Sequence, residues 1–308
     1  MLETLALSIM NHDSAVASAA ARMVSAAGGR PIIEMGSRRT HEAAAVAAAR
    51  AAYLAGFAAT SNLEAERRHG IPTAGTAAHA WILLHDDELT AFSAQVKALG
   101  PETTLLVDTY DVQRGVELAV QAAGPGLGAI RIDSGDLGVL ARQARAKLDL
   151  LGATGTKIVL SGDLDEHAIA ALRVEPVDSY GVGTSVVTGS GAPTAGMVYK
   201  LVEVDGRPVA KRSAAKESRG GQKSAVRRYK PTGTATEEVV HDADAPPELG
   251  PNDRVLPIPL IRDGERAPEL PTLEQSREHL RAALVSVPWE GLKLSRGEPA
   301  IPTTYLGT

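Results

Sequence analysis

From about residue 30 to residue 185, short apolar runs alternate with longer stretches whose apolar positions recur every three or four residues. The short runs are PIIEM (31–35), GFAAT (56–60), IPTAG (71–75), TLLVD (104–108), AIRI (129–132), KIVLS (157–161) and SYGVG (179–183), and they have the length of buried strands. The longer ones, HEAAAVAAARAAYL, DELTAFSAQVKAL, VQRGVELAVQAA, LGVLARQARAKLDLL and EHAIAALRV, have the spacing of helices with one face turned to a core. Ser61 and Glu64 stand at capping-box spacing before a further helix, which Gly70 and Pro72 close. Strand-helix alternation over this length predicts an α/β fold with a parallel sheet and right-handed crossovers. A barrel of six or seven such units is the first expectation, and an open doubly wound sheet is the alternative.

The flanks read differently. Met1 to Met23 is an apolar, alanine-rich helix with no strand before it, a kind that usually covers a structure already made, although a chain can simply begin with a helix. After residue 195, VYKLVEV, the turn Asp205-Gly206 and RPVAKRS predict a β-hairpin. A basic stretch follows, with Lys211, Arg212, Lys216, Arg219, Lys223, Arg227, Arg228 and Lys230 against the single acid Glu217. An acidic linker (EEVVHDADAPPELGP) leads to a last helix capped by Thr272 and Gln275. Two regions result: a barrel domain over 1–195, and a hairpin, basic loop, linker and helix over 196–308.

Composition narrows the chemistry. The 308 residues are 44% hydrophobic but only 3% aromatic, so alanine, valine and leucine must build the core. A net charge of −5 gives no general attraction to nucleic acid, and the basic stretch has almost no aromatic residue besides Tyr229 to stack a base. With no cysteine, disulfides and thiolate metal sites are excluded, which suits a reducing, cytoplasmic setting. No run of 18 apolar residues is present to span a membrane. Zinc spacing among the eight histidines is absent.

The informative pattern is at the strand ends. Arg38 and Arg39 follow the first run, Ser61 and Asn62 the second, and Thr76 and His79 the third. Asp108 and Asp111, then Arg131 and Asp133, then Gly162 and Asp163, then Gly183 and Thr184 follow the others. In a parallel barrel these ends open on one face, where active sites lie. Asp133, Ser134, Asp136 and Asp165 could instead cap the helices that follow. Arginine is not a capping residue, and a guanidinium at a barrel mouth suits phosphate or carboxylate. A glycine-bearing turn such as YGVGTS lets backbone N–H groups approach an anion, in the place where barrels hold phosphate. The implied ligand is a phosphorylated sugar with a negatively charged partner. His79 is as readily a core histidine as a catalytic one.

The segments EMGSRR (34–39), TSN with HGIPTAGTAAHA (60–80), LVDTYD (106–111), IRIDSGD (130–136), LSGDLD (160–165) and YGVGTS (180–185) resemble, in order and spacing, successive motifs of nicotinate phosphoribosyltransferases. The resemblance implies an irregular, incomplete α/β barrel beside a mostly antiparallel second domain, usually in a homodimer. It implies that nicotinate, phosphoribosyl pyrophosphate and ATP give nicotinate mononucleotide, pyrophosphate, ADP and phosphate, with Mg²⁺ as cofactor. By that resemblance His79 is the histidine phosphorylated by ATP and Asp133 faces the reacting centre. Thr76, Arg131 and Ser61 would contact nicotinate, and an aspartate stands at the place of Ser61 in the related nicotinamide enzymes. Arg38, Asp108, Gly162, Asp163, Gly183 and Thr184 would hold phosphoribosyl pyrophosphate. Ala59 and Glu66 stand where relatives commonly have glycine. Family members also carry an upstream domain with a Tyr-Gln-Leu-Thr segment, which the resemblance places before this chain's first residue. The competing expectations are a nicotinamide or quinolinate phosphoribosyltransferase, or a non-catalytic ligand- or partner-binding remnant. The motif around His79 argues against the quinolinate enzyme, which needs no ATP.

Overall fold

A computed structural model describes residues 2–213 and 218–307; Met1 of the expected first helix and Lys216 and Glu217 of the basic stretch lie outside the described residues. The chain divides into two compact units, one from Asn11 to Ala195 and the other from Gly196 onward together with the residues up to Met10. The first helix, α1 (Leu2–Ala27), buries Ala15, Val16, Ala19, Ala20 and Met23 along one stripe in its second half. Leu2, Leu5 and Ile9 in its first half are exposed.

In the first unit, β1 (Ile32–Glu34), α2 (Glu42–Leu54), β2 (Ala59–Thr60), α3 (Leu63–His69), α4 (His79–Leu83), α5 (Glu88–Leu99) and β3 (Thr104–Leu106) follow α1. Then come α6 (Val112–Ala123), β4 (Ala129–Ile132), α7 (Leu137–Leu150), β5 (Lys157–Leu160), α8 (Glu166–Leu172), β6 (Ser179–Val182) and α9 (Thr184–Val187). The strands form one six-stranded sheet, ordered β2-β1-β6-β5-β4-β3. Every pair in it is parallel. Apart from β2 and β3, each strand neighbours the next in sequence, and β6 returns to β1, which is the circular order of a barrel left open between β2 and β3. The fold is therefore an incomplete α/β barrel, and the doubly wound alternative is set aside.

The expected seventh strand, IPTAG, is corrected to a single parallel bridge between Thr60 and Thr73. Pro72 accepts from the Thr60 N–H and the Ala74 N–H bonds back to Thr60, but Pro72 has no N–H with which to extend a ladder. The expected Ser61 cap is also corrected: Asn62 is the N-cap of α3 and accepts from the Ala65 N–H, while Gly70 ends the helix. Fully buried Ala48, Ala49, Ala52, Ala141 and Ala144 set helices close against strands led by Leu105, Ile130, Ile132, Ile158 and Leu160, so small side chains replace aromatic bulk.

In the second unit the expected hairpin shrinks to β7 (Glu203–Val204) and β8 (Arg207–Pro208) around Asp205-Gly206. The basic stretch supplies β9 (Lys223–Tyr229), which pairs antiparallel with β10 (Ala235–Asp242). The acidic segment read as a linker is thus partly a strand. Arg227 meets Glu238 and Lys223 meets Asp242 across the pair, so the two charge runs neutralise each other. β11 (Arg254–Val255) flanks β9, and β12 (Ile261–Arg262) pairs with β13 (Glu265–Arg266). The helix α10 (Leu273–Ser286) opens with the expected Thr272–Gln275 capping box, and β14 (Thr303–Tyr305) runs parallel to β10.

Candidate active site

Because the six strands are parallel, their carboxyl ends lie on one face, and the polar residues that follow them meet there. Two cavities open on this mouth. One, of about 200 Å³, is lined by Arg38, Arg39, Gly162, Asp163, Gly183 and Thr184 among others. The second, of about 260 Å³, is lined by Ser37, Ser61, Gly75, Thr76, Ala78 and His79 among others. Met35, Arg38, Arg131 and Asp133 belong to both.

Arg131, on β4, is the hub of this shared wall. Its Nη1 donates to Thr76 Oγ1 at 2.6 Å, its Nε to Ser161 Oγ at 2.6 Å, and its Nη2 to Asp133 Oδ1 at 2.8 Å. Ser161 Oγ donates in turn to Asp133 Oδ1 at 2.6 Å. Burial acts to raise the Asp133 carboxyl, but the Ser161 hydroxyl, Arg131 and His79 together outweigh it and hold that carboxyl below the usual aspartate range. Asp133 is therefore a fixed negative charge on the rim shared by both cavities. At Gly162 φ is +115°, and an added Cβ would stand 2.7 Å from the Asp133 carbonyl oxygen, so only glycine lets the end of β5 close over that of β4.

Asp108, expected on the donor side, lines neither cavity; its side chain is 2% exposed and braces the wall. Its Oδ2 accepts from the Asp133 N–H at 2.9 Å and from Ser134 Oγ at 2.7 Å, while its Oδ1 is buried without a hydrogen-bond partner. His79 opens α4 after the Thr60–Thr73 bridge and reaches Thr109, beyond β3, with Nδ1 to Oγ1 at 3.0 Å. That contact spans the gap in the barrel. His79 Nε2 stands 3.9 Å from both Asp108 Oδ1 and Asp133 Oδ2.

The capping alternative now separates by residue. Asp111, Asp136 and Asp165 are the N-caps of α6, α7 and α8. Asp133 and Ser134 bond to the wall instead. Sequence reasoning passed over Ser161, Thr109 and Glu34. The first two lie inside strand-end motifs, whose polar pattern could have flagged them. Glu34 is an acid closing an apolar run and is 1% exposed.

A parallel barrel with arginine, aspartate and glycine turns around paired cavities is the architecture of a phosphoribosyltransferase. The sequence profile described as "Quinolinate phosphoribosyl transferase, C-terminal domain" matches residues 16–190. The chain belongs to the nicotinate phosphoribosyltransferase family. A nicotinate phosphoribosyltransferase of Mycobacterium tuberculosis is 68% identical over 311 aligned residues, covering 98% of this chain and 69% of that protein's length. A second one from the same organism is 41% identical over 303 residues, covering 94% of this chain and 63% of its own length. Among solved structures, nicotinate-nucleotide pyrophosphorylase from Pyrococcus furiosus superposes with a TM-score of 0.81 at 29% identity, over 92% of this chain and 73% of that one. Human nicotinic acid phosphoribosyltransferase shares the fold, with a TM-score of 0.79 at 24% identity over 96% of this chain and 72% of its own.

Proposed function

We propose that this chain transfers a phosphoribosyl group from phosphoribosyl pyrophosphate to nicotinate, coupled to ATP through phosphorylation of His79. The observation that carries the reading is the wall of Arg131 and Asp133 common to two adjacent cavities. Transfer between two bound molecules needs their reacting atoms to meet at such a boundary. The 200 Å³ cavity, with Arg38, Arg39 and the Gly183–Thr184 turn, suits the sugar phosphate, and Asp163 suits ribose hydroxyls. The 260 Å³ cavity suits nicotinate, with an N–H of Arg131 left over for its carboxylate and Ser61 and Thr76 on the wall.

In the step itself the ring nitrogen of nicotinate forms a bond to the anomeric carbon. The bond from that carbon to pyrophosphate breaks, and its electron pair leaves with the pyrophosphate. The sugar passes through an oxocarbenium-like state that the fixed Asp133 carboxylate stabilises. Among the described residues there is no group of three or more side chains fit to hold a metal. Carboxylates with substrate phosphates nevertheless match the way Mg²⁺ is commonly held, and Asp133, which lines both cavities, would hold it, with the buried, unpartnered Asp108 Oδ1 behind that wall. Bound there, Mg²⁺ would neutralise charge on the departing pyrophosphate. His79, anchored through Nδ1, keeps Nε2 free to attack the terminal phosphorus of ATP and release ADP.

The test is to supply the 308-residue chain with phosphoribosyl pyrophosphate and nicotinate, nicotinamide or quinolinate, with and without ATP. Nicotinate mononucleotide forming in preference to the other products is expected. Turnover of quinolinate with loss of carbon dioxide, or saturable substrate binding without any transfer, would overturn the reading.

A further inference from the structure

At the ends of β1 and β2, Glu34 and Thr60 are direct partners in the parallel ladder, so their side chains emerge on the same side. Thr60 Oγ1 donates to Glu34 Oε2 at 2.5 Å, and the Gly36 N–H donates to Glu34 Oε1. Thr60 Oγ1 already accepts the Asn62 N–H at 3.0 Å, so its one proton goes to Glu34. Asn62 Nδ2 then donates to Ser37 Oγ at 2.9 Å, which closes a ring through Glu34, Gly36, Ser37, Asn62 and Thr60.

Glu34 is 1% exposed, and both groups bonded to its carboxyl are neutral. Burial therefore raises its carboxyl above the usual range despite the Thr60 and Gly36 bonds. A buried acid of this kind costs stability that an apolar residue would not. What the ring secures is two short turns. One is the 3-10 turn Ser37–Arg39, which carries Arg38 and Arg39, and the other is the Ser61–Asn62 turn. Gly36 shows how tight the first turn is: an added Cβ would stand 2.2 Å from a methyl of Val187 and 2.9 Å from the Gly183 carbonyl oxygen. Arg38 faces both cavities, while Ser61 faces only the larger one.

We propose that Glu34 is a positioning residue whose carboxylate, through Gly36 and Thr60, fixes Arg38 against Ser61 and so sets the mouth that receives both substrates. The identity of those substrates rests on the function proposed above; the ring does not. Glutamine at position 34 can keep its oxygen on the Gly36 N–H and turn its amide towards Thr60, whose hydroxyl then rotates to accept. Alanine can do neither.

Two measurements on the 308-residue chain separate the claims: amide hydrogen exchange over residues 36–39 and 61–63, and calorimetric affinity for phosphoribosyl pyrophosphate and for nicotinate. Glu166→Ala is the control, because Glu166 is also a buried acid and bonds to Arg22 and Ser190 away from both cavities. Glu34→Ala is expected to speed exchange in both turns and to weaken both ligands roughly tenfold or more. Glu34→Gln should restore most of the affinity, and Glu166→Ala should lower thermal stability without changing either readout. If Glu34→Ala proves too unstable to purify, Thr60→Val removes only the hydroxyl and should loosen the same two turns. Unchanged exchange in the loosened variants, or equal loss of affinity in Glu166→Ala, would overturn the positioning role. Should the unaltered chain bind neither substrate, the functional reading fails while the exchange data still decide the ring.

Discussion

Arg131 and Asp133 are joined twice, directly from Nη2 to Oδ1 at 2.8 Å and through Ser161, whose Oγ accepts from Arg131 Nε and donates to Asp133 Oδ1, both at 2.6 Å. One hydroxyl thus holds a guanidinium and a carboxylate in a fixed triangle on the wall between the cavities. The charges offset each other, yet each keeps a face towards a cavity, so the wall offers a cation and an anion within one small patch.

Removing the anion alone should therefore damage chemistry more than binding. Asp133→Asn keeps the shape but deletes the charge that the proposed function sets against the oxocarbenium-like centre. A fall in kcat of roughly 10²- to 10³-fold with a modest change in KM is the expected result of steady-state assays. Ser161→Ala removes only the brace, and about a tenfold loss in kcat/KM is expected. A tenfold rise in both KM values with kcat unchanged in Asp133→Asn would assign Asp133 to binding.

The pattern legible in the sequence was the one that repeats. Apolar runs ending in arginine, aspartate or glycine marked the strand ends, and Arg38, Arg131, Asp133, Gly162, Asp163 and Gly183 stand around one mouth, while Asp108 braces its wall and Asp111 caps α6. IPTAG read as a strand because its composition suits one, but Pro72 limits it to the Thr60–Thr73 bridge. β10 was hidden by its acids. Its alternation, with Ala235, Val239 and His241 buried, is that of a strand, but Glu237 and Glu238 read as linker until the arginines of β9 are set opposite. Glu34 could not be read at all, since an acid in sequence implies water and only the fold shows two donors aimed at it.

Ser61 is free of the capping duty that its sequence position suggested, because Asn62 performs it. Its hydroxyl can therefore serve the 260 Å³ cavity it lines. A carboxylate introduced there would repel that of nicotinate but accept from an amide. Ser61→Asp is expected to raise the KM for nicotinate roughly tenfold and to narrow its advantage over nicotinamide. An unchanged ratio of kcat/KM values would remove Ser61 from the specificity wall.

In the proposed reaction ATP contributes no atom to nicotinate mononucleotide, so a stimulation by ATP would have to pass through the protein. His79 is placed for that, with Nδ1 held by Thr109 and Nε2 3.9 Å from the Asp108 and Asp133 oxygens. His79→Ala is expected to abolish ATP hydrolysis and its stimulation of transfer while leaving a slower, ATP-independent reaction. Labelled phosphate from ATP should appear on His79 and be lost in the variant. Label on His85, which is half-buried with Nδ1 2.8 Å from the Trp81 carbonyl oxygen, would refute the assignment.

Behind this wall, Glu88 gives a pH dependence that can be read without substrate. It lies in the first turn of α5, 5% exposed, with Oε1 unpartnered. Burial first, then the negative charges of Asp108 and Asp111, push its carboxyl up to about 7, against the weaker pull of Arg114. Because the folded value lies above the unfolded one, folding favours the protonated form. The stability this contributes is fully present below the ordinary glutamate range, about 4.5, and is lost as pH rises through about 7. The neutral isostere Glu88→Gln lacks that titration. Between pH 5 and pH 8 the unaltered chain should therefore lose up to about 3 kcal/mol relative to Glu88→Gln, a change of several degrees in the difference of their melting temperatures. Asp111→Asn, which removes one of the two repelling charges, should move this transition to lower pH, since the ionised glutamate is then less opposed and its stability penalty correspondingly smaller. A difference in melting temperature that stays flat from pH 5 to pH 8 would mean that Glu88 does not change charge in that range.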